Sequence, residues 1–204
     1  PLDPELSIRD DHGDQELHQP LVGAFKLSAD VNLSGQNLSG IDLSRADIRN
    51  AGMLHSDMHG IYASDARMSG SNMTEADFSD AQLIGADLSR VEAKSSDFQR
   101  AVMRVADLSE GDFTGADMEH SVLLQANLEN ANFAKANLAN ANLREADLSG
   151  ANFTGADLSG ADLTNSNRET ANFGDIDIDS VCVINEDKGG LFSRIFHRKK
   201  KKKE

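Results

Sequence analysis

The chain has 204 residues, one cysteine, no tryptophan, a single tyrosine and a formal net charge of −14. One cysteine, Cys182, excludes an intrachain disulfide and points to a reducing compartment, in the simplest case the cytoplasm. No apolar run reaches the roughly 18 residues of a membrane span, and no secretory leader is recognisable near Pro1.

Residues 1–27 carry Leu17, Leu21, Val22, Phe25 and Leu27 among acids and Pro20. They are predicted to form an N-terminal segment and cap, with the first dozen residues mobile. His12 and His18 lack further ligands nearby and read as solvated side chains. From Leu33 onward a large apolar residue returns every fifth position: Leu33, Leu38, Leu43, Ile48, Met53, Met58, and later Phe133, Leu138, Leu143, Leu148, Phe153, Leu158 and Leu163. A small residue, usually alanine, sits two places before most of these centres, as at Ala126, Ala131, Ala136 and Ala141. A period of five fits neither a helix nor a strand. A fixed short period instead predicts a solenoid whose units bury apolar residues only by stacking on their neighbours.

The units QANLE, NANFA, KANLA, NANLR, EADLS, GANFT, GADLS and GADLT follow one another from Gln125 to Thr164. They resemble the A(D/N)LXX motif of the pentapeptide-repeat family. The resemblance implies an all-β fold, a right-handed quadrilateral parallel β-helix of about seven or eight coils over residues 28–185, with short terminal caps. It also implies that each side takes one pentapeptide, and that the centre and the alanine two before it point inward. Coils stacked at the strand separation of about 4.8 Å then make a rod about 36 Å long.

Sorting every fourth unit assigns residues to four walls. The first wall has core phenylalanines Phe113, Phe133, Phe153 and Phe173 in successive coils, predicted to stack as a column. On the second wall the residue before each centre is Asn37, Asp57, Asp77, Asp97, Asp117, Asn137, Asp157 or Asp177, joined by Asp80, Glu119 and Asp179 and one Arg100. Stacked carboxylates repel, so such a ladder costs stability. It serves either solubility or imitation of the regular phosphate charge of duplex DNA. The resemblance supports the second, because quinolone-resistance proteins of the family do this to DNA gyrase.

The third wall breaks the pattern. Tyr62, Gln82, Val102 and Val122 stand where Asp or Asn is usual, and Ile84, Arg104 and Leu124 follow the centres, with Val105 beside them. Tyr62, Ile84, Val102, Val105, Val122 and Leu124 are expected to make one contiguous apolar patch, and Arg104 belongs to the same surface. Exposed patches of this kind mark interaction sites; drift within a degenerate stretch, or cover by the terminal segments, is the alternative. The fourth wall is acidic again, with Asp47, Asp87, Asp107, Glu110, Glu129, Asp147 and Glu169, diluted by Arg49, Arg67 and Arg90. Arg168 occupies an inward position there and is expected to snorkel outward at the edge of the last coil.

Residues 186–204 are predicted to form an amphipathic cap and polybasic tail. Helical spacing puts Leu191, Phe192, Ile195 and Phe196 on one stripe. The basic side is Arg194, Arg198, Lys199, Lys200, Lys201, Lys202 and Lys203. With Glu204 the tip carries +6, so an overall −14 leaves −20 on residues 1–193. The apolar stripe can cap the core, the tip can rest weakly on an anionic membrane, or the lysines can meet nucleic acid or an acidic protein face. A membrane contact would place the protein at the periphery of the cytoplasmic face.

Phosphate-loop, dinucleotide, zinc-protease and nucleophile-elbow motifs are all missing from the sequence. Asp175, Asp177, Asp179 and Glu186 match the ligand spacing of a calcium loop, but Ser180 stands where that loop needs glycine. His55 and His59 read as surface residues. The expectation is a non-enzymatic interaction module with no cofactor, no metal and no small-molecule substrate. Its partner is another protein or a second copy in a homodimer, with a type II topoisomerase as the alternative.

Overall fold

In the computed structural model the described residues are 28–176, Ile178, Val181 and the backbone pair Arg9–Asp10. Each five-residue unit accounts for its backbone N–H groups in one repeating scheme, illustrated around Met103. The Val102 N–H donates to Ala81 O of the preceding coil at 2.8 Å, and the Met103 N–H to Val122 O of the next at 2.8 Å. The Val105 N–H donates to Leu124 O at 3.0 Å, and the corner closes with the Ala106 N–H on Met103 O at 3.2 Å. Three bonds per unit therefore run between coils, and one makes the turn. Buried backbone groups must be paired, and this scheme pairs them without a long strand.

Every wall is a parallel ladder joining residues 20 apart. The first runs from Asn32–Gly52 to Asn152–Asn172, the second from Asn37–Asp57 to Asn137–Asp157. The third runs from Asp42–Tyr62 to Asn142–Asp162, the fourth from Asp47–Arg67 to Asp147–Asn167. Twenty residues per coil over four sides is the quadrilateral that the resemblance implies. Below the first coil, β1 (Arg9–Asp10) pairs antiparallel with β2 (Val31–Asn32). A piece of the segment expected to be mobile thus covers the open edge of the first wall.

The lumen is filled as the alternation demands. Leu33, Leu83, Leu138, Leu143 and Leu163 are fully buried, as are Ala51, Ala81 and Ala141 beside them. Phe113, Phe133, Phe153 and Phe173 stack with ring centroids 5.0, 5.3 and 5.3 Å apart, the predicted column. Phe78 and Phe98 stack at 5.0 Å on the second wall, and Phe98 meets Phe113 edge-on at 6.0 Å. The two columns therefore join across the lumen. Gly111 replaces the usual inward alanine there, because an added Cβ would come within 2.6 Å of the Phe113 ring.

Regularity ends near residue 170. Arg168 is partly buried at its inward position and donates from Nη1 to Leu163 O at 3.1 Å, which provides a partner at the edge of the last regular coil. After Phe173 the positive φ falls on Gly174, one place earlier than in the other units. The Val181 N–H still donates to Ile178 O at 3.3 Å, the usual corner bond, so the chain turns toward the third wall at that point.

Candidate functional site: the third wall

The scheme above leaves one N–H per unit, that of the residue after the centre, and a side chain takes it. Ser79 N–H donates to Asp77 Oδ1 at 2.8 Å, Gln99 N–H to Asp97 Oδ1 at 2.8 Å, and Ala139 N–H to Asn137 Oδ1 at 3.1 Å. Where Asp or Asn precedes a centre it can therefore act as a local turn cap of the Asx kind; Gly52, Arg67 and Glu92 are isolated exceptions on the first and fourth walls. This role is legible in the motif's restriction to the two residues with that short oxygen, and the sequence reading passed over it.

On the third wall this bond is missing in four successive coils. Tyr62, Gln82, Val102 and Val122 follow one another in the ladder, and none offers an oxygen to the N–H of Ser64, Ile84, Arg104 or Leu124. In return the wall shows Tyr62 at 56% exposure, Ile84 at 41% and Val105 at 58%. Val102, Val122 and Leu124 are half-buried against their neighbours. Val105 sits at a corner with φ of 58°, a left-handed conformation that a β-branched residue rarely adopts. Ser121, directly before Val122, is buried and its hydroxyl has no partner among the described residues. Arg104 makes no ion pair among the described residues.

Tyr62 and Val102 are separated in their ladder by Gln82, and Arg104 stands 20 residues from both Ile84 and Leu124. The Gln82 amide donates sideways to Asp80 O at 3.3 Å. Only Val102 and Val122 are direct ladder partners.

The second wall keeps its caps and its charge. Asp57, Asp77, Asp97 and Asp117 are consecutive rungs, after which Asn137 intervenes before Asp157. Burial pushes the Asp97 carboxyl above its ordinary range, and the flanking Asp77 and Asp117 add to the effect. Asp157, at the sparse end, is held below that range by its bonds from Ser159. Arg100 reaches back to Asp80 through two bonds of 2.8 and 2.7 Å. On the fourth wall Arg49 and Arg67 share Asp47, at 2.7 and 3.1 Å. His55 lies 3.3 Å from Glu75, and His59 is 2.9 Å from Ser79 Oγ. No group of three or more potential metal ligands occurs among the described residues. Asp177, Asp179 and Glu186 of the calcium-like string, His12 and His18, and the basic residues Arg194 to Lys203 lie outside the described residues. Among the described residues no helix is long and apolar enough to cross a membrane.

Comparison with known proteins places this architecture. The pattern described as Pentapeptide repeats matches in 8 copies, over residues 29–62, 59–90, 86–125 and 126–165. The chain belongs to the pentapeptide-repeat family. Its fold is the right-handed quadrilateral β-helix of that family. Among solved structures it is similar to a pentapeptide repeat protein, Rfr23, from the cyanobacterium Cyanothece 51142, at 36% identity and a TM-score of 0.34. That match covers 50% of this chain and 64% of the other, so this chain spans less than two thirds of that relative. Similarity to alr5209 from Nostoc PCC 7120 is 32% over 52% of this chain and 84% of the other, with a TM-score of 0.34. QnrB1, a plasmid-mediated fluoroquinolone resistance protein, is 24% identical over 76% of this chain and 86% of its own, with a TM-score of 0.39. No curated protein matches the sequence.

Proposed function

We propose that this chain is a non-enzymatic interaction module whose third wall docks a protein partner or a second copy of itself. One observation carries the reading. Over four coils that wall abandons the turn cap used elsewhere and holds Val105 in a strained corner. These local costs return no packing inside the rod, since the side chains point outward. Departures from a sequence's own rules without internal compensation mark functional surfaces. The flat wall, with Tyr62 as an aromatic anchor and Arg104 as an uncommitted donor, has the composition of an interface centre. Sedimentation velocity and capture from the native host test it. Val102→Glu/Val122→Glu is expected to abolish self-association or retention of the partner. Unchanged mass together with unchanged capture overturns the reading.

The second wall favours a second reading, a DNA-like surface acting on a type II topoisomerase. Its support is the run Asp57, Asp77, Asp97 and Asp117, retained although Asp97 is electrostatically penalised. Asparagine would cap the same turns without charge, as Asn137 does. Inhibition or protection of DNA gyrase in a supercoiling assay, weakened by Asp77→Asn/Asp97→Asn/Asp117→Asn, is the expected result. No effect at micromolar protein removes this reading.

A further inference from the structure

We propose that in the free chain the third wall is covered by the chain's own residues 191–204, which a docking partner must displace. The inference rests on the reading of that wall as a docking surface and names its first occupant.

Chemistry, charge and reach each point to this segment. The wall offers Tyr62, Ile84, Val105 and the half-buried Val102, Val122 and Leu124. Residues 191–204 bring Leu191, Phe192, Ile195 and Phe196, which share one stripe at helical spacing. The walls on either side of the third are both acidic, with Asp97 and Asp117 on one and Asp87 and Asp107 on the other. A segment laid along the apolar wall therefore puts its +6 charge between two carboxylate ladders. Opposite charges on a chain of overall −14 meet within a Debye length, about 8–10 Å at ordinary salt.

The geometry of exit also fits. Val181 is buried and closes a corner on Ile178 O, 20 residues beyond Ala161 of the third wall. Val122 lies three coils and Tyr62 six coils from that point, roughly 14 and 29 Å at the usual strand separation. The nine residues 182–190 span up to roughly 30 Å when extended. Fourteen residues in helical form are about 21 Å long, enough to overlie the patch from Leu124 to Tyr62.

The chain carries its own reporter. Tyr62 is its single tyrosine and there is no tryptophan, so tyrosine emission reads this wall alone. Acrylamide quenching of that emission is measured on the full chain and on Phe192→Asp/Phe196→Asp, with circular dichroism confirming an intact fold. The quenching constant is expected to rise about twofold or more in the variant, as the covered population falls. In the native chain protection should not depend on protein concentration, and carbodiimide should join Lys199–Lys203 to Asp87, Asp97, Asp107 or Asp117 within monomers. Equal quenching in the two chains, or no such cross-link, overturns the proposal. Protection that grows with concentration assigns the cover to a second copy and also overturns it. The outcome is separable from that of the docking surface. Equal quenching here with capture lost in Val102→Glu/Val122→Glu leaves the surface standing without its cover.

Discussion

The Asp or Asn that precedes most large core residues is first a turn cap and only second a surface group. The cap explains why the motif accepts these two side chains and why their loss over Tyr62, Gln82, Val102 and Val122 stands out. Two neighbours of those positions, Ser121 and Val105, carry local costs. Ser121→Ala removes a buried hydroxyl without a partner among the described residues and restores the inward alanine of most other units. An unsatisfied buried polar group costs about 1–3 kcal/mol, so the variant is expected to be more stable by about 1 kcal/mol. For a chain of this size that raises Tm by roughly 2–4 °C. Val105→Asn relieves a β-branched residue at φ 58°, since Asn tolerates the left-handed region; Asn165, three coils on, holds the same corner at φ 58°. It should stabilise by about 1 kcal/mol while weakening association. A thermal melt checks both; a lower Tm in either shows that the native side chain packs favourably there.

At the scale of a wall, stacking like on like magnifies any repeated charge. The Asp57–Asp117 ladder holds carboxylates at successive rungs, and burial with two like neighbours raises the Asp97 pKa. A carboxyl whose folded pKa is raised binds its proton more tightly in the native state. Its penalty is therefore absent below the unfolded value of 3.8 and grows as pH rises through the folded pKa. Asp97→Asn keeps the cap and removes the charge, so it should stabilise the rod at pH 7 by about 0.2–1 kcal/mol. The gain should vanish near pH 3. A gain that persists unchanged at pH 3 would show that packing, not charge, is responsible. The Phe113–Phe173 column was readable to the residue, because the period on the four-sided fold that the resemblance implies dictates which phenylalanines stack. The patch was readable in composition and in register, since Gln82 and Arg104 lie 20 residues from Tyr62 and Ile84, but the exposure of its members was not.

For the molecule as a whole, a net charge of −14 on a slender rod makes self-repulsion a global term. Among the described residues its ion pairs are at least partly exposed, such as Arg90–Glu110 at 3.8 Å and Lys94–Asp112 at 3.2 Å, and pairs of that kind contribute little. Raising sodium chloride from about 20 mM to about 0.5 M shortens the Debye length several-fold, so Tm is expected to rise by a few degrees. A falling Tm would mean that the ion pairs outweigh the ladders. Salt should also loosen the cover proposed for the third wall, which makes Tyr62 more accessible as the rod itself becomes more stable. The two trends run in opposite directions and can be followed in one titration.

The sequence by itself determined the solenoid, and with the family resemblance that its repeats carry, the four walls, the inward and outward residues and the Phe113–Phe173 column. In a repeat of five with four sides, contacts are set by chain separation alone, so counting residues is equivalent to knowing neighbours. What only the tertiary structure decided depends on torsions and on side-chain reach, which the period does not encode. Examples are the Asx oxygen on the spare N–H, the left-handed Val105, the edge-on crossing of Phe98 and Phe113, and the early turn at Gly174. The third wall needed both. Its unusual residues are visible in the string, but their cost appears only once the missing caps and the strained corner are seen on one face.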